Sequence, residues 1–356
     1  MSSAPYFYEP NGLCHVCIDG PELLVYDGDG GPRWKQFCNN LIVDAGATTE
    51  LVITADLDGL VSFWRAMDGQ LVDEVPTNSQ PSAMGTAPQG LVALATSDAV
   101  VLVSQRSSMP IVAQQPTAVA FGGNGTSLGV GTASGAFVVL EPNTGEVQGS
   151  VDVGEPISGV AFSAMGMWAV VAGSRLHLVS VDGSELLHST QNCDAPLRGA
   201  TCSQEGALVS SVIGLNQVGI FDLQNKKLSG IIHFRREVGA VSMGPRGYLG
   251  IGLDDGDANR VDLFNGRAIR TEPHPGRGRN NWNLTCEVNF AALRGAVTHA
   301  RSGGGPVASF VFIEEDAPKR GWGRTCLMGC LVMFLLVLGC SGCLGLAYVV
   351  RGMGYF

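Results

Sequence analysis

Residues 117–153 read TAVAFGG, NGT, SLGVGTA, SG, AFVVLEP, NTG, EVQGSVDV when broken at their turn residues. Asn124-Gly125, Ser134-Gly135 and Thr144-Gly145 are residues that tolerate the positive φ of tight hairpins, so the stretch predicts four consecutive antiparallel strands. In the second and third strands both alternating positions are apolar or small, whereas the fourth is more polar. A sheet built this way has two apolar faces and cannot cover either by itself.

The same order recurs along the chain. Its strongly apolar third strand appears as ELLVYD near Tyr26, LVSFW at Trp64, VVLVS at Val103 and FVVLE at Leu140. It returns as LHLVS at Val179, VGIFD at Phe221, VDLF at Phe264 and SFVFIEE at Val311. Successive spacings are 38, 39, 37, 39, 42, 43 and 47 residues, close to the roughly 40–45 of a propeller blade. Asp27-Gly28, Asp58-Gly59, Asp68-Gly69, Asp182-Gly183, Asp255-Gly256 and Asn265-Gly266 supply further hairpin turns. Radial stacking buries each sheet on its neighbours. The expected fold is therefore all-β: a β-propeller of about eight four-stranded blades over residues 1–315, beginning at PYFYEPNG. The last blade lacks its outermost strand. Seven blades is the alternative, with the C-terminal strands completing the first sheet.

Composition agrees. With 49 glycines and 45% apolar residues, the 356-residue chain fits many short strands joined by glycine turns, not a disordered polypeptide. Its net charge of −10 is uneven: residues 1–200 carry 6 basic and 20 acidic side chains, residues 201–356 carry 16 and 12. That balance disfavours nucleic acid as a partner.

Residues 326–350, CLMGCLVMFLLVLGCSGCLGLAYVV, are uncharged. Twenty-five such residues exceed the about 20 needed to cross a bilayer, so a single transmembrane helix is expected there. A juxtamembrane linker (316–325) precedes it and a short tail (351–356) follows. Lys319, Arg320 and Arg324 lie before the span and Arg351 after it, which places the large N-terminal part in the cytoplasm. Trp322 sits at the first interface. No secretory signal is visible at the N-terminus, so the topology reads as single-pass and tail-anchored, with reduced thiols. Ser341 and Gly345, like Cys343 and Ala347, are small residues four apart, a spacing that lets a second helix approach and makes this face a candidate homodimer contact.

GAFVVLEPNTGEV (135–147) and QVGIFDLQNKKL (217–228) resemble the third strand, turn and fourth strand of a WD repeat. The resemblance, to WD-repeat and quinoprotein-like propellers, covers about residues 4–315 and implies a divergent propeller. Family function does not carry over by residue, and it is the ring itself that would offer its central-face loops to a protein partner. No repeat has the Gly-His pair or the Trp-Asp dipeptide, so the Asp-His-Ser-Trp network of that family is expected to be missing. A propeller with a C-terminal anchor is also similar to the endoplasmic-reticulum exchange factors that load a coat-initiating small GTPase. Their glycine-rich, cation-binding loop has its nearest counterpart here in Asp27-Gly28-Asp29-Gly30-Gly31, which also reads as a hairpin turn.

Catalytic and metal motifs are weak. No Gly-x-x-x-x-Gly-Lys-Ser/Thr loop occurs, and Gly122-Gly123-Asn124-Gly125 falls where a hairpin is expected, without a following helix. Cys14-His15-Val16-Cys17 lies on a strand whose alternation sends the two thiols to opposite faces. Asp254-Asp255-Gly256-Asp257 lacks the later acidic ligand of a calcium loop. The six histidines fall in separate repeats, and no nucleophile elbow accompanies them. No enzyme and no cofactor is expected.

One stretch departs from the rhythm. After Phe264 the chain reads NGRAIRTEPHPGRGRNNWNLTCEV, where Arg267, Arg270, Arg277, Arg279 and Trp282 form either a solvated loop or a docking element for an acidic partner or anionic lipid. The reading that follows is a membrane-anchored interaction scaffold or adaptor. An exchange-factor-like regulator and a bacterial sensor or assembly subunit are its alternatives.

Overall fold

A computed structural model describes residues 6–8, 14–27 and 31–270, apart from 113, 123–124, 204–205, 235, 245–247, 254–257 and 264–266, together with 308–311. For 6–8, 112, 258–262, 267–270 and 308–311 it describes the backbone alone. The described residues form no α-helix and 29 strands.

Seven sheets each take four strands in chain order. The first holds β1 (Tyr6–Tyr8), β2 (Cys14–Asp19), β3 (Glu22–Asp27) and β4 (Pro32–Phe37). The second holds β5 (Ile42–Ala47), β6 (Leu51–Asp56), β7 (Leu60–Arg65) and β8 (Leu71–Pro76). The third comprises β9 (Ala83–Thr86), β10 (Val92–Ala95), β11 (Ala99–Ser104) and β12 (Ser107–Val112), and the fourth β13 (Pro116–Gly122), β14 (Ser127–Thr132), β15 (Ala136–Leu140) and β16 (Val147–Asp152). The fifth contains β17 (Ile157–Ser163), β18 (Met167–Ala172), β19 (Arg175–Ser180) and β20 (Leu186–Ser189). The sixth contains β21 (Leu197–Cys202), β22 (Leu208–Ile213), β23 (Gln217–Asp222) and β24 (Lys227–His233). The seventh is β25 (Val238–Met243), β26 (Tyr248–Leu253), β27 (Ala258–Asp262) and β28 (Arg267–Arg270); β29 (Ala308–Val311) comes last.

The first strands make the ring. β1, β5, β9, β13, β17, β21 and β25 each touch the next, and β25 touches β1. Among the described residues the ring therefore has seven blades, the alternative number, and the expected eighth is corrected. The segment counted as an eighth third strand, at Val311, is β29, which pairs in parallel with the outer edge of β24. The first sheet is complete with its own four strands, so the other closure, with C-terminal strands filling it, does not occur either. Closure comes from packing: Tyr248 of β26 lies against Cys17, Leu24 and Tyr26 of the first sheet.

Burial explains the sequence pattern. Adjacent residues of one strand serve different inter-sheet cores. Val52 packs toward the first sheet with Val16 and Val25, while Ile53 packs toward the third with Leu94 and Val103. Likewise Ala169 faces the sixth sheet and Val170 the fourth. Strands covered on both faces read as nearly continuous apolar runs. Each large side chain taken wholly from water, such as Phe63, Phe137 or Phe221, contributes about 1.5–3 kcal/mol. Trp168 donates Nε1–H to the Val181 carbonyl at 2.9 Å and lies edge-on to Phe162. A Cβ on Gly129 of the fourth sheet would fall 2.6 Å from its ring, so small residues there make room for the indole.

The sheets join by one repeated device. The turn between second and third strands binds the connection that leads from one sheet into the next: Leu57 N–H to Leu41 O at 2.9 Å, Thr77 N–H to Gly59 O at 2.9 Å, Val153 N–H to Gly135 O at 2.9 Å, Gly214 N–H to Pro196 O at 2.8 Å. These segments together form one face of the ring, hereafter the crossover face.

Candidate functional site: the crossover face and the inner ring

Inner strands of a propeller approach one another closely, and many of their residues here are Gly, Ala, Ser or Thr. All seven inner strands together carry only two charged residues, Asp44 on β5 and Arg198 on β21. Neither hangs free. Asp44 Oδ2 accepts the Met84 N–H of the next inner strand at 2.7 Å, and Oδ1 accepts the Ala45 N–H at 2.9 Å. Burial pushes the Asp44 carboxyl up to about 7, against these two donors, which favour the charged form. Arg198 Nη2 donates to Val238 O and to Gly214 O, each at 3.1 Å. Thr117 and Ser158, at the same register irregularity of their strands, donate to Ile157 O at 2.6 Å and Leu197 O at 2.8 Å. Asp44, Thr117, Ser158 and Arg198 are thus latches between sheets.

The crossover face differs around its circumference. In the first three sheets its segments contain Asp19, Asp56, Asp58 and Asp98 and no Lys or Arg, whereas in the fifth to seventh Arg175 and Arg236 stand among Glu155, Asp194 and Glu237. Leu41 and Leu57 are 52% and 43% exposed there, bonded through their backbones. Asp56 Oδ1 accepts the N–H groups of Asp58 at 3.1 Å and Leu60 at 2.8 Å, which fixes the turn, and Asn40 Nδ2 donates to Asp58 Oδ2 at 2.7 Å.

Beneath this corner runs a polar chain that sequence motifs did not reveal. Trp64 Nε1–H donates to Thr54 Oγ1 at 3.1 Å, and the same hydroxyl favours the charged form of the Cys38 thiol. Burial and nearby Asp56 push that thiol up to about 11. No sequence motif marks the bond from Trp64 to Thr54, since Trp64 is followed by Arg65.

Other sequence candidates fall as follows. Cys14 and Cys17 face different cores, one shared with the second sheet and one with the seventh, so both cannot reach one ion. Among the described residues, Cys14, Cys17, Cys38, Cys193 and Cys202 form no disulfide. Asp27 and Gly31 close a hairpin, with Gly31 N–H on Asp27 Oδ1 at 2.8 Å. Gly122 pairs with Ser127 across the β13–β14 hairpin. Among the described residues no three His, Cys, Asp or Glu side chains converge as metal ligands. Arg267 and Arg270, expected in a loop, lie on β28, opposite Asp262 and Asn259; the repeat's fourth strand claims them. Arg277, Arg279, Trp282, the linker and flanking residues, and the span with Ser341, Cys343, Gly345 and Ala347 lie outside the described residues. No described helix is long and apolar enough to cross a membrane.

No family model matches the chain, and no curated protein matches it. Many solved structures do. One is the β-propeller domain of Myceliophteria thermophila Cps50 (Swd1), 17% identical, with a TM-score of 0.63 over 72% of this chain and 95% of that one. At that identity the likeness is one of fold: a β-propeller.

Proposed function

We propose that this chain is a non-catalytic platform for a protein partner, kept at the cytoplasmic side of a membrane by residues 326–350. The observation that carries the reading is the unbalanced crossover face of the first three sheets, with exposed leucines among aspartates and no basic side chain in its segments. Contiguous apolar surface with a charged surround is how a soluble ring marks a contact site. Asp44, Thr117, Ser158 and Arg198 of the inner ring are engaged between sheets, while the leucines of the face stand in water.

The test is site-specific photocrosslinking in cells, with the reactive group at position 57 on the crossover face and, separately, at position 165 on the opposite face. Discrete adducts at either position support a platform. Their absence at both rejects it.

A further inference from the structure

We propose that the corner formed by Leu41, Leu57 and Asp58 holds an extended partner segment through one apolar side chain and a neighbouring Lys or Arg. This rests on the platform reading and names the chemistry recognised.

The fold does not demand leucines here. At the turn between second and third strands, other sheets place Gly20-Pro21, Ser97-Asp98, Ala133-Ser134 and Gly173-Ser174; Leu215 of the sixth is the other exception. The residue that leads into the inner strand is Ser82, Gln115, Pro156, Pro196 or Glu237 where the second sheet has Leu41. Both leucines face water on a fixed frame. Gly59 sits at φ +82°, and a Cβ there would lie 2.2 Å from Ser79 O. Thr77 binds Gly59 O through both its N–H, at 2.9 Å, and its hydroxyl, at 2.7 Å. A surface ordered in advance loses little freedom when a partner arrives.

Charge selects the partner. Asn40 engages one oxygen of Asp58 and turns the carboxylate beside Leu57. Lys35 of the first sheet is paired with Glu22, and the segments of this face in the first three sheets add no Lys or Arg. A basic group next to an apolar anchor complements this corner, while an acidic segment or an anionic lipid surface meets like charge.

The probe is a synthetic extended peptide with a central Leu followed two positions later by Arg, compared with its Leu/Glu twin. Both are titrated by fluorescence anisotropy onto the full-length protein in nanodiscs. The Arg peptide should bind about tenfold more tightly, less so as salt rises. Leu57→Ser and Asp58→Asn should each remove most of that preference without moving the unfolding temperature, because both side chains are exposed. Equal affinities, preference for Glu, or unchanged binding by the variants overturns the proposal. So does a concentration-dependent dimer lost in Leu57→Ser, which would assign the corner to a second copy. Crosslinks at position 165 with none at 57 would remove this corner and leave the platform standing; none at either position removes both.

Discussion

The Asp44 carboxylate accepts the backbone N–H of Met84, 40 residues further along the chain, at 2.7 Å. Thr117 reaches Ile157, also 40 residues on, Ser158 reaches Leu197 at 39 and Arg198 reaches Val238 at 40. One blade of sequence thus separates each latch from its receiver, and the inner ring is stitched circumferentially as well as packed radially. The Asp44 latch is the one among these whose strength depends on protonation.

Folded, Asp44 holds a proton up to about pH 7; unfolded, it loses it near the ordinary 3.8. A group that binds its proton more tightly when folded stabilises the fold at low pH and ceases to do so as pH rises to its folded value. Denaturant titrations should therefore show wild type losing stability relative to Asp44→Asn between about pH 4 and 7, then running parallel above that window. Parallel curves throughout would show that Asp44 is already charged in the fold.

His177 carries the opposite sign. It is buried, with Nδ1 2.9 Å from Ser189 Oγ, and burial together with the Arg175 charge lowers its pKa below the ordinary 6.5. The unfolded chain then takes up this proton first, so stability from His177 is full above pH 6.5 and falls below it. A ring-proton NMR titration of the folded protein should give a midpoint under 6.5, and a midpoint at or above 6.5 contradicts the burial.

Gly159→Ala is expected to destabilise the protein by about 1–3 kcal/mol through overpacking. The added Cβ would lie 2.4 Å from the Gly199 carbonyl carbon of the next inner strand. Backbone cannot move aside as a side chain can, so the two inner strands must separate. Urea unfolding of the variant gives the number directly.

Trp168→Ala removes the largest wholly buried side chain, packed against Phe137 and Phe162 between the fourth and fifth sheets. A loss of about 3–5 kcal/mol is expected from the cavity. Refilling it from the other side, by adding Gly129→Ala, should recover part of that loss.

The proposed anchor has its own check. The full-length chain should stay in the membrane pellet after alkaline carbonate extraction, and a chain ending at residue 325 should move to the supernatant. Full-length protein in the supernatant would remove the membrane from the account.

Local chemistry made much of this molecule legible. Strand length, turn residues such as Asp58-Gly59 and doubly apolar runs such as LVSFW follow from backbone preference and from the need to bury both faces, so the repeat and the all-β class could be read from residue order alone. The number of blades could not. Whether SFVFIEE opens another sheet or lies along β24 depends on where the ring closes, a condition on all the inner strands at once. Nor could residue order say that Arg267 and Arg270 belong to an outer strand, that Trp64 bonds Thr54, or that the backbones of Leu41 and Leu57 are joined with both side chains in water. Those pairings join residues of different strands or of successive sheets, and only the packed ring brings them within reach.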